Sequence, residues 1–188
     1  MRVFLDANLL IYLNTAAEDT RRSYEDFYTE LAANNRLYTD VLVLVELLYI
    51  SRKRYNVPYP VTIEFIGDVV LPFTEILPLG LPEYQASAEM IEEARLKPSD
   101  ALHLASMRLN GIETIASEDQ ELGKASKINR IWLARAPRPR PSAQLACLSN
   151  YPAHAPHSIH PSAPPPRWLA VGLLLHGWSP VSTGTALS

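Results

Sequence analysis

The chain has 188 residues and a formal net charge of −3, from 17 basic and 20 acidic side chains. Its single cysteine, Cys147, excludes an intrachain disulfide framework and any zinc site built on paired cysteines. The charge is unevenly laid out: residues 1–135 hold all 20 acids and carry −6, whereas residues 136–188 hold no acid, ten of the 16 prolines and a charge of +3.

In chain order, Arg2–Leu5 is β-prone and ends at Asp6. Asn8–Asn14 reads as a short helix, and Thr20–Asn34 as a second, with Tyr24, Phe27, Tyr28 and Leu31 at i, i+3, i+4 and i+7. Leu37–Thr39 is a short strand. Val41–Tyr55 opens with a strand-like apolar run, but its length without Gly or Pro favours a helix capped by Thr39 or Asp40. Pro58 and Pro60 break the chain before a helix over Val61–Val70, and Thr74–Leu77 is a strand. Pro82 opens a helix over Glu83–Leu96. Pro98-Ser99-Asp100 starts another, which stops at Asn110-Gly111. A strand at Glu113–Ala116, a helix at Asp119–Ala125 and a strand at Arg130–Leu133 complete the pattern. Short strands alternating with helices predict an α/β domain around a parallel sheet over residues 1–135.

Beyond Leu133 the periodicity ends. Residues 136–188 open with a polyproline-type linker, and their composition predicts a low-complexity, disordered tail. The apolar run Trp168–Leu175 is eight residues, against the roughly 20 that span a bilayer. The N-terminus lacks a small-residue cleavage site, so the expected location is cytoplasmic and the expected partners do not include a membrane. An acidic domain excludes a broad electrostatic grip on nucleic acid. It does not exclude a site for metal cations, which must itself be acidic.

Four carboxylates stand out by context. Asp6 directly follows the first strand, and carboxyl ends of parallel strands line ligand crevices; its plain alternative is a helix cap. Glu46 sits in Val-Leu-Val-Leu-Val-Glu-Leu-Leu-Tyr-Ile, where an ionised, unpaired carboxylate would cost several kcal/mol. It must be protonated, paired or cation-bound; the plain alternative is a Glu at the polar helix edge, paired with an Arg. Asp100 begins an apolar helix, where capping shared with Ser99 is the alternative. Asp119 follows the strand ending at Ala116, where it is otherwise a turn residue, and its neighbour Glu118 is expected to point to solvent. Such a cluster suits Mg²⁺ or Mn²⁺, hard cations that take oxygen ligands.

Asp-Ala-Asn-Leu-Leu-Ile-Tyr-Leu (6–13), Glu46 on its apolar helix, Asp-Ala-Leu-His-Leu-Ala (100–105) and Ser-Glu-Asp (117–119) together resemble the successive motifs of the PIN-domain family, and within it the VapC-like toxin branch. The resemblance runs from residue 1 to about 133 and implies a three-layer α/β/α domain with a central parallel sheet. It implies a Mg²⁺- or Mn²⁺-dependent ribonuclease in which Asp6, Glu46, Asp100 and Asp119 coordinate metal. Asn8, Thr39 and Ser117 match small polar positions near such a site. It also implies an RNA substrate, a homodimer and a small antitoxin partner. The competing functions are a PIN-like binding module without catalysis and a PIN nuclease without an antitoxin.

Elsewhere the plain reading is preferred. His103, one turn after Asp100, is expected to be a core or edge histidine. Arg21-Arg22, Arg52-Lys53-Arg54 and Arg95 are expected on solvated helix faces, although any could touch phosphate. His154, His157 and His160 share a face if their segment is polyproline-like.

Overall fold

The computed structural model describes residues 1–122 and 128–133. Among them, five strands form one parallel sheet: β1 (Arg2–Leu5), β2 (Arg36–Asp40), β3 (Thr74–Leu77), β4 (Thr114–Ala116) and β5 (Asn129–Ile131), in the order β3-β2-β1-β4-β5. The helices are α1 (Ala7–Thr15), α2 (Glu18–Asn34), α3 (Val41–Tyr55), α4 (Tyr59–Phe65), α5 (Leu81–Ala94) and α6 (Pro98–Leu109). α1 packs on α2 and α3, α3 on α4, and α5 on α6. The connections β1-to-β2 and β2-to-β3 step one way along the sheet, and β3-to-β4 steps back past β1. Right-handed crossovers therefore put the α1–α4 group and the α5–α6 pair on opposite faces, giving the expected three layers.

The ends of the elements follow local chemistry. Asp40 caps α3 by accepting from the Val43 amide at 3.0 Å, and Asn56 closes that helix in the left-handed conformation. The Gly80 amide donates to Glu83 at 2.8 Å across the first turn of α5, which Pro82 helps to open. Gly111, at φ 64°, follows α6 where a side chain would be strained. The segment expected as one helix over 61–70 is α4 followed by a π-helical turn, Ile66–Val70, in which the Leu71 amide donates to the Ile66 carbonyl. Pro72 follows, so the wide turn ends where no further amide is available. The expected helix at 119–125 is a turn as far as Leu122; its remaining residues and the tail, including Cys147, the spaced histidines and the Trp168 run, lie outside the described residues.

β1 is the buried spine. Val3, Phe4 and Leu5 are fully covered, as are Leu9 and Leu10 of α1 and Ile115 of β4. Trp132, just past β5, packs its ring against Tyr12, Tyr24 and Phe27, with centroids 6.0–6.3 Å away. This aromatic cluster ties α1 and α2 to the last strand.

Candidate active site

Parallel pairing sets β1 and β4 in register, Leu5 beside Ala116, and the Asp6 amide donates to the Ala116 carbonyl. The residues that follow these two strands are thereby delivered to one edge of the sheet. This is the topological switch point, where the chain leaves neighbouring strands in opposite directions.

Asp6 is 7% exposed. One carboxylate oxygen accepts from the Ala7 amide at 2.7 Å, so the capping role is real. The other accepts from Asn8 Nδ2 at 3.0 Å and from the Ser117 hydroxyl at 2.5 Å. Asn8 and Ser117, both expected near the site, thus hold Asp6 directly. Three of its roughly four lone-pair directions are used, and one stays open. Thr39 is buried but reaches elsewhere: its hydroxyl donates to the Leu5 carbonyl at 2.9 Å, bracing the backbone one residue before Asp6.

Asp119 is a turn residue as well. Its Oδ1 accepts from the Glu121 amide, and its own amide donates to Ser117 Oγ. Its Oδ2 lies 3.7 Å from Lys97 Nζ. Asp100 sits in the first turn of α6, 3.9 Å from the same ammonium. The capping reading for Asp100 and Ser99 does not hold: Lys97 is the cap position, and no side chain bonds there. Glu118 departs from expectation too, because it accepts a short hydrogen bond from the Tyr12 hydroxyl rather than facing solvent.

Glu46 is not sunk in apolar surroundings. Its side chain is 30% exposed, on a helix whose Val41, Val45 and Tyr49 turn about half outward while Val43 and Leu47 fill the core. Its ion-pair partner is His103, not an arginine.

The sequence model of the PIN domain matches residues 3–128, most of the chain. The chain belongs to the PIN-domain family. No curated protein matches it by sequence. Among solved structures it is similar to VapC20 of Mycobacterium tuberculosis, described as a Sarcin-Ricin loop cleaving toxin, at 16% identity and TM-score 0.55, over 67% of this chain and 96% of that one. It is also similar to VapBC2 of Rickettsia felis bound to a promoter DNA fragment, at 18% and 0.54, over 70% and 98%. A third is FitAcB of Neisseria gonorrhoeae, at 19% and 0.52, over 69% and 96%. At these identities the likeness speaks for the fold.

The electrostatics of this PIN domain show surplus negative charge at the strand ends. Burial raises the Asp6 carboxyl above its usual range, against hydrogen bonding from Ser117, and the Glu46 charge adds to the rise. Asp100 is raised in the same way by burial, partly offset by Lys97 and reinforced by Asp119 and Asp6. The Asp6 and Asp100 carboxyls therefore each feel another acid of the four. Two cationic groups that sequence reasoning did not assign to the site answer this charge. Lys97 is exposed and lies within 4 Å of Asp100, Asp119 and Glu121. His103 is 2% exposed, with Nδ1 2.7 Å from Asp40 Oδ2 and Nε2 3.6 Å from Glu46 Oε2. Burial opposes its charge, but the hydrogen bond to Asp40 and the nearby Glu46 carboxylate prevail and push its pKa up to about 10. It is a core histidine, as expected, and it also touches the site. Of the arginines expected on solvated faces, Arg21 pairs with Glu25 and Arg52 donates to Asn56.

Proposed function

We propose that this protein is a metal-dependent endoribonuclease that hydrolyses RNA phosphodiester bonds, acting as the toxin of a toxin–antitoxin pair. PIN-domain relatives of the VapC type are ribonucleases, which supports hydrolysis. The observation that carries the metal dependence is Asp6: a buried carboxylate with a raised pKa, one open lone-pair direction and further acids nearby.

The donors suit Mg²⁺ or Mn²⁺. Asp6, Glu46, Asp100 and Asp119 offer only carboxylate oxygen, and burial makes the charge on Asp6 and Asp100 costly without a counter-ion. Among the described residues, no three acidic, histidine or cysteine side chains converge enough to enclose an ion. That open set fits Mg²⁺, which keeps several waters and takes one or two carboxylates. When bound beside a phosphodiester, such an ion supplies an activated water and neutralises phosphoryl charge. The chain's own residues do the positioning. Ser117 and Asn8 fix the Asp6 carboxylate, Thr39 braces the strand end beneath it, and Lys97 stands exposed at the rim, where an ammonium can meet a phosphate.

One solved neighbour is described as a toxin–antitoxin complex and others as bound to DNA fragments, which supports a small antitoxin partner here. An antitoxin or a second copy of the chain would cover the outward apolar residues of α3, and we include a homodimer in the proposal. Among the described residues, no helix is long and apolar enough to cross a membrane. We place the protein in the cytoplasm, and we read residues 1–135 as the whole nuclease domain, with 136–188 as an appendage.

A second reading, a PIN-like module without catalysis, draws on one observation: an ammonium, not a convergent ligand set, lies between Asp100 and Asp119. One experiment separates the two. The purified chain is given total RNA with Mn²⁺, beside Asp6→Asn and Asp100→Asn variants, and Mn²⁺ binding is followed by calorimetry. Cleavage lost in both variants supports the nuclease. Intact cleavage in both variants defeats the site, and absent Mn²⁺ binding favours the module.

A further inference from the structure

We propose that His103 is a positioning residue that holds the Glu46 carboxylate at the site through its Nε2, using Asp40 as its anchor. The inference deepens the nuclease reading and rests on Glu46 being a cation ligand.

The geometry begins at Asp40. Its side chain is fully buried at the junction of β2 and α3. One oxygen caps α3 through the Val43 amide, and the other receives the His103 Nδ1–H at 2.7 Å. With both oxygens used, Asp40 cannot turn without breaking the cap or the imidazole bond. The Phe4 ring lies 5.8 Å from the imidazole at a 45° tilt. The ring plane is thus fixed, and Nε2 is aimed at Glu46 Oε2, 3.6 Å away.

That distance is an ion-pair separation, beyond a hydrogen bond. His103 Nε2 is accordingly a buried ring nitrogen with no hydrogen-bond partner among the described residues. Burying such a group unsatisfied is costly, and a purely structural histidine gains nothing by it. The cost makes sense if the nitrogen serves a group that must stay free to bind something else. Glu46 fits that description: it is partly exposed, and no other ion-pair or hydrogen-bond partner restrains it among the described residues. Asp40 and Glu46 also stand on one helix, α3 with its cap, while His103 stands on α6 with Asp100. One imidazole therefore locks the helix that carries one assigned ligand to the helix that carries another. Partners in this outer position orient metal ligands in general.

The test uses the full chain and three variants. His103→Asn places an amide nitrogen near the Nδ1 position, keeping the Asp40 bond but removing any reach to Glu46. His103→Gln places one near Nε2, keeping the reach and losing the anchor. Glu46→Gln removes the ligand charge itself. Mn²⁺ affinity is measured by calorimetry, and the thermal midpoint is measured on the same samples. The expected result is a Mn²⁺ affinity weakened about tenfold in His103→Asn, within the range for losing an outer-shell partner. Its midpoint should fall less than that of His103→Gln, because the Asp40 anchor is kept. His103→Gln should bind Mn²⁺ more tightly than His103→Asn although it is less stable. Parent-like Mn²⁺ affinity in His103→Asn, with Glu46→Gln weakened, overturns the positioning role and leaves the nuclease reading standing. Unchanged affinity in Glu46→Gln overturns both. If His103→Asn does not fold, His103→Gln decides: affinity as weak as in Glu46→Gln overturns the proposal.

Discussion

The two halves of the acidic site face the same problem and solve it differently. On the inner half, Glu46 and Asp40 share a buried histidine that is gripped by a hydrogen bond and backed by a phenylalanine ring. On the outer half, Asp100 and Asp119 share an exposed lysine at looser separations of 3.7–3.9 Å. A buried, bonded cation fixes geometry, because moving it strands charges in low dielectric. An exposed ammonium on a flexible stem fixes little and can be displaced. On the proposed reading, the inner half stays in place and the outer half gives way to an incoming cation.

Variants can break this comparison. Asp6 lies between the halves, so Asp6→Asn should have the largest effect on activity. Cleavage of RNA with Mn²⁺ should fall by more than the about 10–100-fold typical of outer-shell losses. The fold should survive, because Asn caps a helix as well as Asp; a parent-like rate in a gel assay would defeat the assignment. Asp40→Ala should have the largest effect on stability. It removes a cap and strands a buried imidazole, and breaking such a pair costs about 3–5 kcal/mol. Urea unfolding measures this, and a loss below about 1 kcal/mol would remove the contrast between the halves.

Lys97→Gln should do the reverse. Thermal unfolding should be unchanged, and Mn²⁺ affinity by calorimetry should rise several-fold as the competing ammonium disappears. Weaker Mn²⁺ binding would show instead that Lys97 belongs to the permanent site. A further effect is in pH. The His103 pKa is raised from the usual 6.5 to about 10 in the fold. Its contribution to stability is therefore complete below 6.5 and lost as pH rises through about 10. In metal-free protein the thermal midpoint should decline across that window, and His103→Asn should flatten the decline. An equal decline in both proteins would mean that the imidazole is not the group responsible.

Much of this was legible in the sequence for identifiable reasons. Asp6 and Ser117–Asp119 stand just past strand ends, and parallel pairing sends such residues to one edge of a sheet. Asn8 and Ser117 were found by motif, and both turn out to bond Asp6. The length of the Val41–Tyr55 run correctly decided for a helix. Which side of it faces the core was not legible, because nine apolar residues in ten leave no periodicity to read; hence Glu46 was expected deeper than it lies. The Asp40–His103 bond spans 63 positions, so no local pattern signals it. Lys97 was missed because a lysine before Pro-Ser-Asp reads as ordinary helix-start polarity. The π-helical turn arises from a single wider backbone bond, which composition does not reveal.

The place of β1 in the sheet has a consequence for the timing of synthesis. Of the described strands the earliest made is the middle one, and the Ser117 hydroxyl reaches Asp6 from 111 positions downstream. At roughly 5–20 residues per second, the ribosome needs about 6–22 s to deliver that partner. Until then Asp6, Asp40 and Glu46 have emerged, but the edge they belong to has not been built. A nascent chain stalled before β4 carries Asp6, Asp40 and Glu46 without Ser117 or Asp119, so on the proposed reading it lacks part of the site. Translation to the end of β4 thus becomes a built-in delay before the cell holds any of the activity proposed here.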